Sequence, residues 1–153
     1  MELRKLSIND LDLLVKLRMD FLMDEQCYFS EDELIDMKLK CREFFISVLE
    51  SNRFIAFVAE EDKEVLSTAF LTIQAKPPRK ANIPFRIGTV YNVLTYKEYR
   101  RTGVATQVLT ALLNEARSMG IKTVDLWATE DGEELYEKLG FWKVNCAPMK
   151  IDL

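Results

Sequence analysis

The period of the apolar residues changes near the middle of the chain, and that change constrains the fold more than any other feature. Gly88-Thr89-Val90-Tyr91-Asn92-Val93-Leu94-Thr95 is dense in β-branched and aromatic residues, as a strand is. Past Gly103 the spacing becomes helical: Val104, Val108, Leu109, Leu112, Ala116 and Met119 share one face, and Gly120 stands where such a helix would end. Thr123 to Ala128 then reads as a strand again. A strand, a helix and a strand in that order require a right-handed crossover and a parallel pair within one sheet.

The remaining segments dress this unit. Leu3 begins a short strand, and Ser7-Ile8-Asn9-Asp10 offers a cap with an acid three positions on, leading into an amphipathic helix from Leu11 to Met23. Ser30-Glu31-Asp32-Glu33 repeats the pattern ahead of a second helix, which carries Leu34, Met37, Phe44, Phe45 and Val48 toward Glu50. Phe54 to Ala59 and Val65 to Gln74 read as strands joined by the charged turn Glu60 to Lys63, and Pro77 and Pro78 end the second. With 88–95 they predict an antiparallel meander. Glu133 to Leu139 predicts a short helix closed by Gly140, followed by a closing pair of strands at Phe141 to Val144 and Met149 to Leu153. The expected fold is α/β of the α+β kind, with a mixed, mostly antiparallel central sheet of about six to seven strands and about four helices. A chain of 153 residues, 48% of them hydrophobic and with no low-complexity break, predicts one domain over 1–153.

Composition closes off several chemistries. The chain has no histidine, which excludes Ser-His-Asp and Cys-His hydrolysis, histidine-ligated zinc and an imidazole acid or base. Cys27, Cys41 and Cys146 are odd in number, widely spaced and outside any Cys-x-x-Cys arrangement, so free thiols are expected, with neither a disulfide framework nor a metal site. The net charge of −4, from 25 acidic and 21 basic residues, argues against a nucleic-acid partner and suits a cationic small substrate better. No run of about 18 apolar residues and no apolar leader follows Met1, so a cytoplasmic protein with no membrane partner is expected.

The candidate site lies at the strand-to-helix handover. A helix of about 17 residues starting near Gly103 directs its unpaired backbone N–H groups and the positive end of its dipole back toward the preceding strand, which favours an anion. Gly103 has no Cβ, so a phosphate can approach the backbone; Ala105 keeps the next inward position small; Arg100 and Arg101 add positive charge; and no acid occupies the first turn. Neither a Gly-x-Gly-x-x-Gly fingerprint nor a Gly-Lys-Ser/Thr phosphate loop is present. On these residues alone the turn is an anion site or a basic surface turn.

The strand-Arg-x-x-Gly-x-Ala-helix arrangement over Val90 to Met119 resembles the coenzyme A-binding motif of the Gcn5-related N-acetyltransferase superfamily, and Leu135-Tyr136-Glu137-Lys138-Leu139-Gly140-Phe141 resembles that superfamily's second signature. Ser7 to Leu11 is similar to its first strand-to-helix junction, whereas Lys97 stands where many members have proline. The resemblance implies acetyl-coenzyme A as co-substrate, without a metal, and transfer of its acetyl group to a primary amine of a small molecule, amino acid or peptide. It implies that the amides of Arg101 through Thr106 hold the pyrophosphate, with Arg100, Arg101, Thr102, Gly103, Val104, Ala105 and Thr106 forming the turn. It further implies that strands ending near Thr95 and Ala128 part to admit the pantetheine arm along Val93, Leu94 and Thr95, a backbone N–H near Leu94 meeting the thioester carbonyl. Homodimers are common in the superfamily, and one is possible here.

Such a reaction needs little side-chain chemistry, because holding the two reactants in line supplies roughly 7 to 11 kcal/mol. By the resemblance Tyr136 is the catalytic acid; a phenol of pKa about 10 suits a thiolate of somewhat lower pKa. The base is open among Glu130, Asp131, Asp24, Glu25 and water. Tyr28, Phe29, Tyr91, Ala128 and Thr129 are candidates for holding the acceptor; Tyr28, Phe29, Phe85 and Tyr91 either line an aromatic pocket or pack the core. Two other readings stay open: a non-catalytic acyl-coenzyme A sensor or partner-binding module on the same fold, and an unrelated α/β domain with a phosphate-binding turn.

Overall fold

Two serines start the N-terminal helices by the same device. The Ser7 hydroxyl accepts from the Asn9 amide (3.3 Å) while the Asp10 carboxylate accepts from the Ser7 amide (2.8 Å), opening a 3₁₀ turn at Ile8–Asp10 that runs into helix α1, Leu11–Asp24. The Ser30 hydroxyl and Glu33 carboxylate repeat the exchange at the start of helix α2, Glu31–Glu50. Both caps were legible in the sequence.

The computed structural model describes residues 1–78, 80 and 86–153. Its sheet consists of β1 (Glu2–Lys5), β2 (Phe54–Glu61), β3 (Glu64–Ala75), β4 (Arg86–Thr95) and β5 (Thr123–Asp125), in that spatial order. The first four strands are antiparallel neighbours, and β5 lies parallel to β4 after the crossover through helix α3, Val104–Ser118. A last short helix, α4, spans Glu133–Lys138. The mixed sheet, the meander and the crossover match the expected fold class.

Alternation along β2 and β3 divides the core in two. Ile55, Leu71 and Ile73 face α3 and bury Val108, Leu109 and Leu112; Phe54, Ala56, Val58 and Phe70 face α1 and α2. The second face is held by aromatic packing, Phe45 meeting Phe54 and Phe70 with ring centroids 5.3 and 5.7 Å apart, and Phe54 meeting Phe70 at 5.4 Å.

The strand count requires a correction. Among the described residues the sheet has five strands: Thr123 to Ala128 is extended only as far as Asp125, and neither Phe141 to Val144 nor Met149 to Leu153 pairs with anything. Alternation marks which face a strand would bury, but a strand exists only through its partner. Trp142, Met149 and Ile151 accordingly stay exposed.

Candidate active site

The site is prepared by an irregularity in β4. Thr68 pairs with Leu94 and Phe70 with Tyr91, so β4 carries one residue more than β3 across this interval, a β-bulge. The bulge centres on Asn92, whose φ of 53° is left-handed, a conformation that asparagine tolerates better than most residues. Its buried side chain ties the bulge to α1: Nδ2 donates to the Leu17 carbonyl (3.2 Å), and Oδ1 accepts from Arg18 Nη1 (3.2 Å). Asn92→Ala loses both bonds and leaves the half-buried Arg18 guanidinium without this acceptor, so a destabilisation of about 2 kcal/mol is expected in urea unfolding. Asn92 was missed as a site residue because nothing local marks a bulge in a run of strand formers.

Beyond the bulge the sheet opens. The β4–β5 ladder runs from Ile87–Thr123 to Thr89–Asp125 and stops there, so from Val90 to Thr95 β4 has β3 on one side and, among the described residues, no strand on the other. Ser67 steadies the end of β4, its buried hydroxyl donating to the Leu94 carbonyl (3.1 Å) and lying 2.9 Å from the Thr95 hydroxyl.

The chain then turns into α3 through two left-handed residues, Arg101 (φ 63°) and Gly103 (φ 85°). The Thr102 hydroxyl donates to the Tyr99 carbonyl (2.6 Å) and braces the turn. No side chain caps α3 and no acid lies in its first turn; the first helical bond runs from the Gln107 amide to the Gly103 carbonyl (3.3 Å), leaving the amides of Val104, Ala105 and Thr106 without an acceptor among the described residues. A Cβ on Gly103 would meet nothing among the described residues within 4 Å, which leaves space before this helix end. The turn therefore fits an anionic group by its own geometry.

Arg100 is engaged within the protein. Its Nε donates to the Thr95 carbonyl (2.9 Å) and its Nη2 to both oxygens of Asp24 (2.8 and 3.0 Å), fastening the turn between the end of β4 and the end of α1. Asp24 is thereby engaged, while Glu25, Glu130 and Asp131 are exposed. Nearby, the Tyr96 hydroxyl donates to Asp20, which also accepts from Lys16. Burial, and then the Asp20 charge, push the Tyr96 phenol above its usual range.

Tyr136 sits on α4, half-buried against the α3-side core that also receives Val93 and Val104. The Leu-Gly-Phe sequence after it acts as a helix stop: Gly140 is left-handed (φ 92°), the Phe141 amide donates to the Tyr136 carbonyl (3.0 Å), and the Phe141 ring folds back edge-on to Tyr136 with centroids 5.9 Å apart. A Cβ on Gly132 would lie 3.0 Å from the tyrosine ring, so that side is closely packed too. Burial alone pushes the Tyr136 phenol above its usual range, and its hydroxyl has no hydrogen-bond partner among the described residues.

The residues suggested for the acceptor are scattered. Tyr28 is exposed, Phe29 packs against the α1/α2 core, and Ala128 and Thr129 are exposed before the 3₁₀ turn Glu130–Gly132. Phe85 lies outside the described residues. Of these residues, Tyr91 lines a cavity of about 650 Å³ between α2 and the exposed end of the α1/α2 face of β3 and β4. Arg18 and Asn92 line it as well, so it reaches the β4 bulge. The sequence did hold a signal for it: Arg18 falls on the apolar stripe of α1, four residues after Leu14 and three before Phe21. No cluster of metal-ligating side chains occurs among the described residues, and no helix among them is long and apolar enough to cross a membrane.

The Acetyltransferase (GNAT) family matches residues 17–141, a span that takes in the bulge, the turn and Tyr136. Among solved structures, a predicted acetyltransferase with acetyl-CoA from Clostridium acetobutylicum is 29% identical, superimposes with a TM-score of 0.86, and is aligned over 99% of this chain and 95% of its own. A GCN5-related N-acetyltransferase from Ralstonia eutropha JMP134 is 24% identical with a TM-score of 0.77, aligned over 98% of this chain and 97% of its own. Glucosamine-6-phosphate N-acetyltransferase from Arabidopsis thaliana shares the fold at 18% identity and a TM-score of 0.72, aligned over 98% of this chain and 97% of its own. None of the curated proteins matches this sequence.

Proposed function

This chain belongs to the acetyltransferase (GNAT) family, and we propose that it transfers the acetyl group of acetyl-coenzyme A to a primary amine. The observation that carries the reading is the uncapped, acid-free start of α3, set beside the length of β4 that β5 leaves unpaired. The coenzyme supplies an activated acetyl group. The amides from Arg101 to Thr106 bind its pyrophosphate, and Val93, Leu94 and Thr95 receive the arm that leads to the thioester.

The amine nitrogen forms a bond to the carbonyl carbon as the carbon–sulfur bond breaks. Tyr136 Oη holds the proton offered to the departing sulfur, and the proton shed by the amine passes to water, since the carboxylates near the turn are either ion-paired or exposed. Most of the acceleration comes from position, which suits a site with no histidine.

Two measurements test this. Acetyl-coenzyme A is expected to raise the melting temperature of the full chain, and thiol release is expected with at least one member of a panel of primary amines. No thermal shift would assign the α3 turn to another anion. A shift without thiol release from any amine would make the protein an acyl-coenzyme A sensor.

A further inference from the structure

We infer that the acceptor carries a carboxylate and an apolar group, as an amino acid does, and that the cavity between α2 and the sheet receives them with Arg18 as the carboxylate anchor. The amine in this statement rests on the proposed activity; the carboxylate does not.

The charge of the cavity lining is one-sided. Its lining contains Arg18, Lys40 and Arg53 and no carboxylate among the described residues, in a chain whose net charge is −4. Lys40 is paired with Asp36 at 2.6 Å, on the turn before it. The arginines are not so placed. Arg53 Nε donates to the Ser51 hydroxyl (2.9 Å), and Arg18 donates to Asn92 and lies 5.4 Å from the centre of the Phe21 ring; neither forms an ion pair with a described residue.

Arg18 is half-buried, and a guanidinium withdrawn from water is costly unless an anion meets it. Its bond to Asn92, itself only 2% exposed, holds the fork in place and leaves other N–H groups to donate. Thr72 is also on the lining, and its buried hydroxyl has no hydrogen-bond partner among the described residues. Much of the rest of the wall is aromatic or apolar, with Phe44, Phe70, Tyr91 and Met37, alongside the polar Ser47 and Gln74. A volume of about 650 Å³ accommodates a side chain as well as a carboxylate. Tyr91 and Asn92 link the cavity to the bulge, so a ligand anchored there presents its amine toward the opened edge of β4.

The test uses compounds that lack the amine, which separates this inference from the activity. Binding of 3-phenylpropionate and indole-3-propionate to the full chain is measured by calorimetry beside their neutral primary amides. At least one carboxylate is expected to bind about tenfold more tightly than its amide. Arg18→Gln is expected to abolish that preference and Arg18→Lys to restore part of it, with acetyl-coenzyme A affinity and melting temperature reporting that each variant is folded. In the thiol-release assay the matching expectation is a KM rise of about tenfold or more for L-phenylalanine in Arg18→Gln, with phenethylamine unaffected. Equal binding of acid and amide, no saturable binding of either acid, or a preference that survives Arg18→Gln would each overturn the anchor. If the carboxylates bind as expected and no amine releases thiol, the cavity assignment stands and the proposed activity falls.

Discussion

Tyr136→Phe is expected to lower kcat about a hundredfold while leaving acetyl-coenzyme A affinity within about twofold of the parent. The substitution removes one oxygen and keeps the ring, so packing against Phe141 and Gly132 is preserved and the fold should be too. General acids contribute roughly 10²- to 10⁴-fold, and the low end is expected here for a physical reason. Burial raises the phenol above its usual range of about 10, whereas a departing thiolate has a pKa of about 8.5; complete transfer is uphill, so the phenol serves mainly as a hydrogen-bond donor in the transition state. The same shift fixes a pH signature. The acid form is needed and is populated below the folded pKa, so raising that pKa moves its loss to higher pH: kcat should not fall on the alkaline side until above about pH 10, and the Phe variant should lack that fall. Steady-state kinetics across pH, with an amine found in the screen, provide the check. Parent-like kcat in the variant would remove Tyr136 from the chemistry.

Gly103→Val is expected to weaken acetyl-coenzyme A binding by about tenfold to a hundredfold. From sequence alone the cause would be a side chain crowding the phosphate. The structure adds a second cause and separates the two. A Cβ at this position has no neighbour within 4 Å among the described residues, but φ is 85°, where a β-branched residue is strained by roughly 1 to 3 kcal/mol. The turn either retains the strain or relaxes and misdirects the Val104 and Ala105 amides. Gly103→Ala tests the partition, since alanine occupies the left-handed region for only about 1 to 2 kcal/mol and adds a single methyl. Calorimetric titration of both variants, with melting temperatures alongside, should give losses in the order Val greater than Ala. Unaltered affinity in folded Gly103→Val would sink the pyrophosphate assignment.

The whole-chain charge and the local charge of the cavity wall are opposite in sign. A value of −4 pointed to a cationic acceptor, but the cavity wall carries arginines and no described carboxylate. Screened charges act over about 8 to 10 Å in ordinary salt, so a ligand in the cavity responds to Arg18 and Arg53 and hardly to the acids on the far surface. Arg100 teaches the converse. Its place in the motif suggested a charge for the coenzyme, and only the approach of α1 revealed Asp24 as its partner.

By itself the sequence determined the elements whose causes are local: the serine-capped starts of α1 and α2, the helical stripe from Val104 to Ala116, the glycine that stops α4 at Gly140, and the strand-helix-strand order that dictates a parallel pair at β4 and β5. Each follows from a backbone group, a φ value or a period that a few neighbouring residues set. It also located the uncapped turn before α3, because the lack of a capping side chain is a local fact. Tertiary structure decided what depends on partners distant in the chain: that the sheet has five strands among the described residues, that β4 bulges at Asn92 to be tied to Leu17 and Arg18, that Arg100 belongs to Asp24, and that a cavity opens between α2 and β4. Pairing and burial are choices among partners, and a residue's own neighbours in sequence do not contain that information.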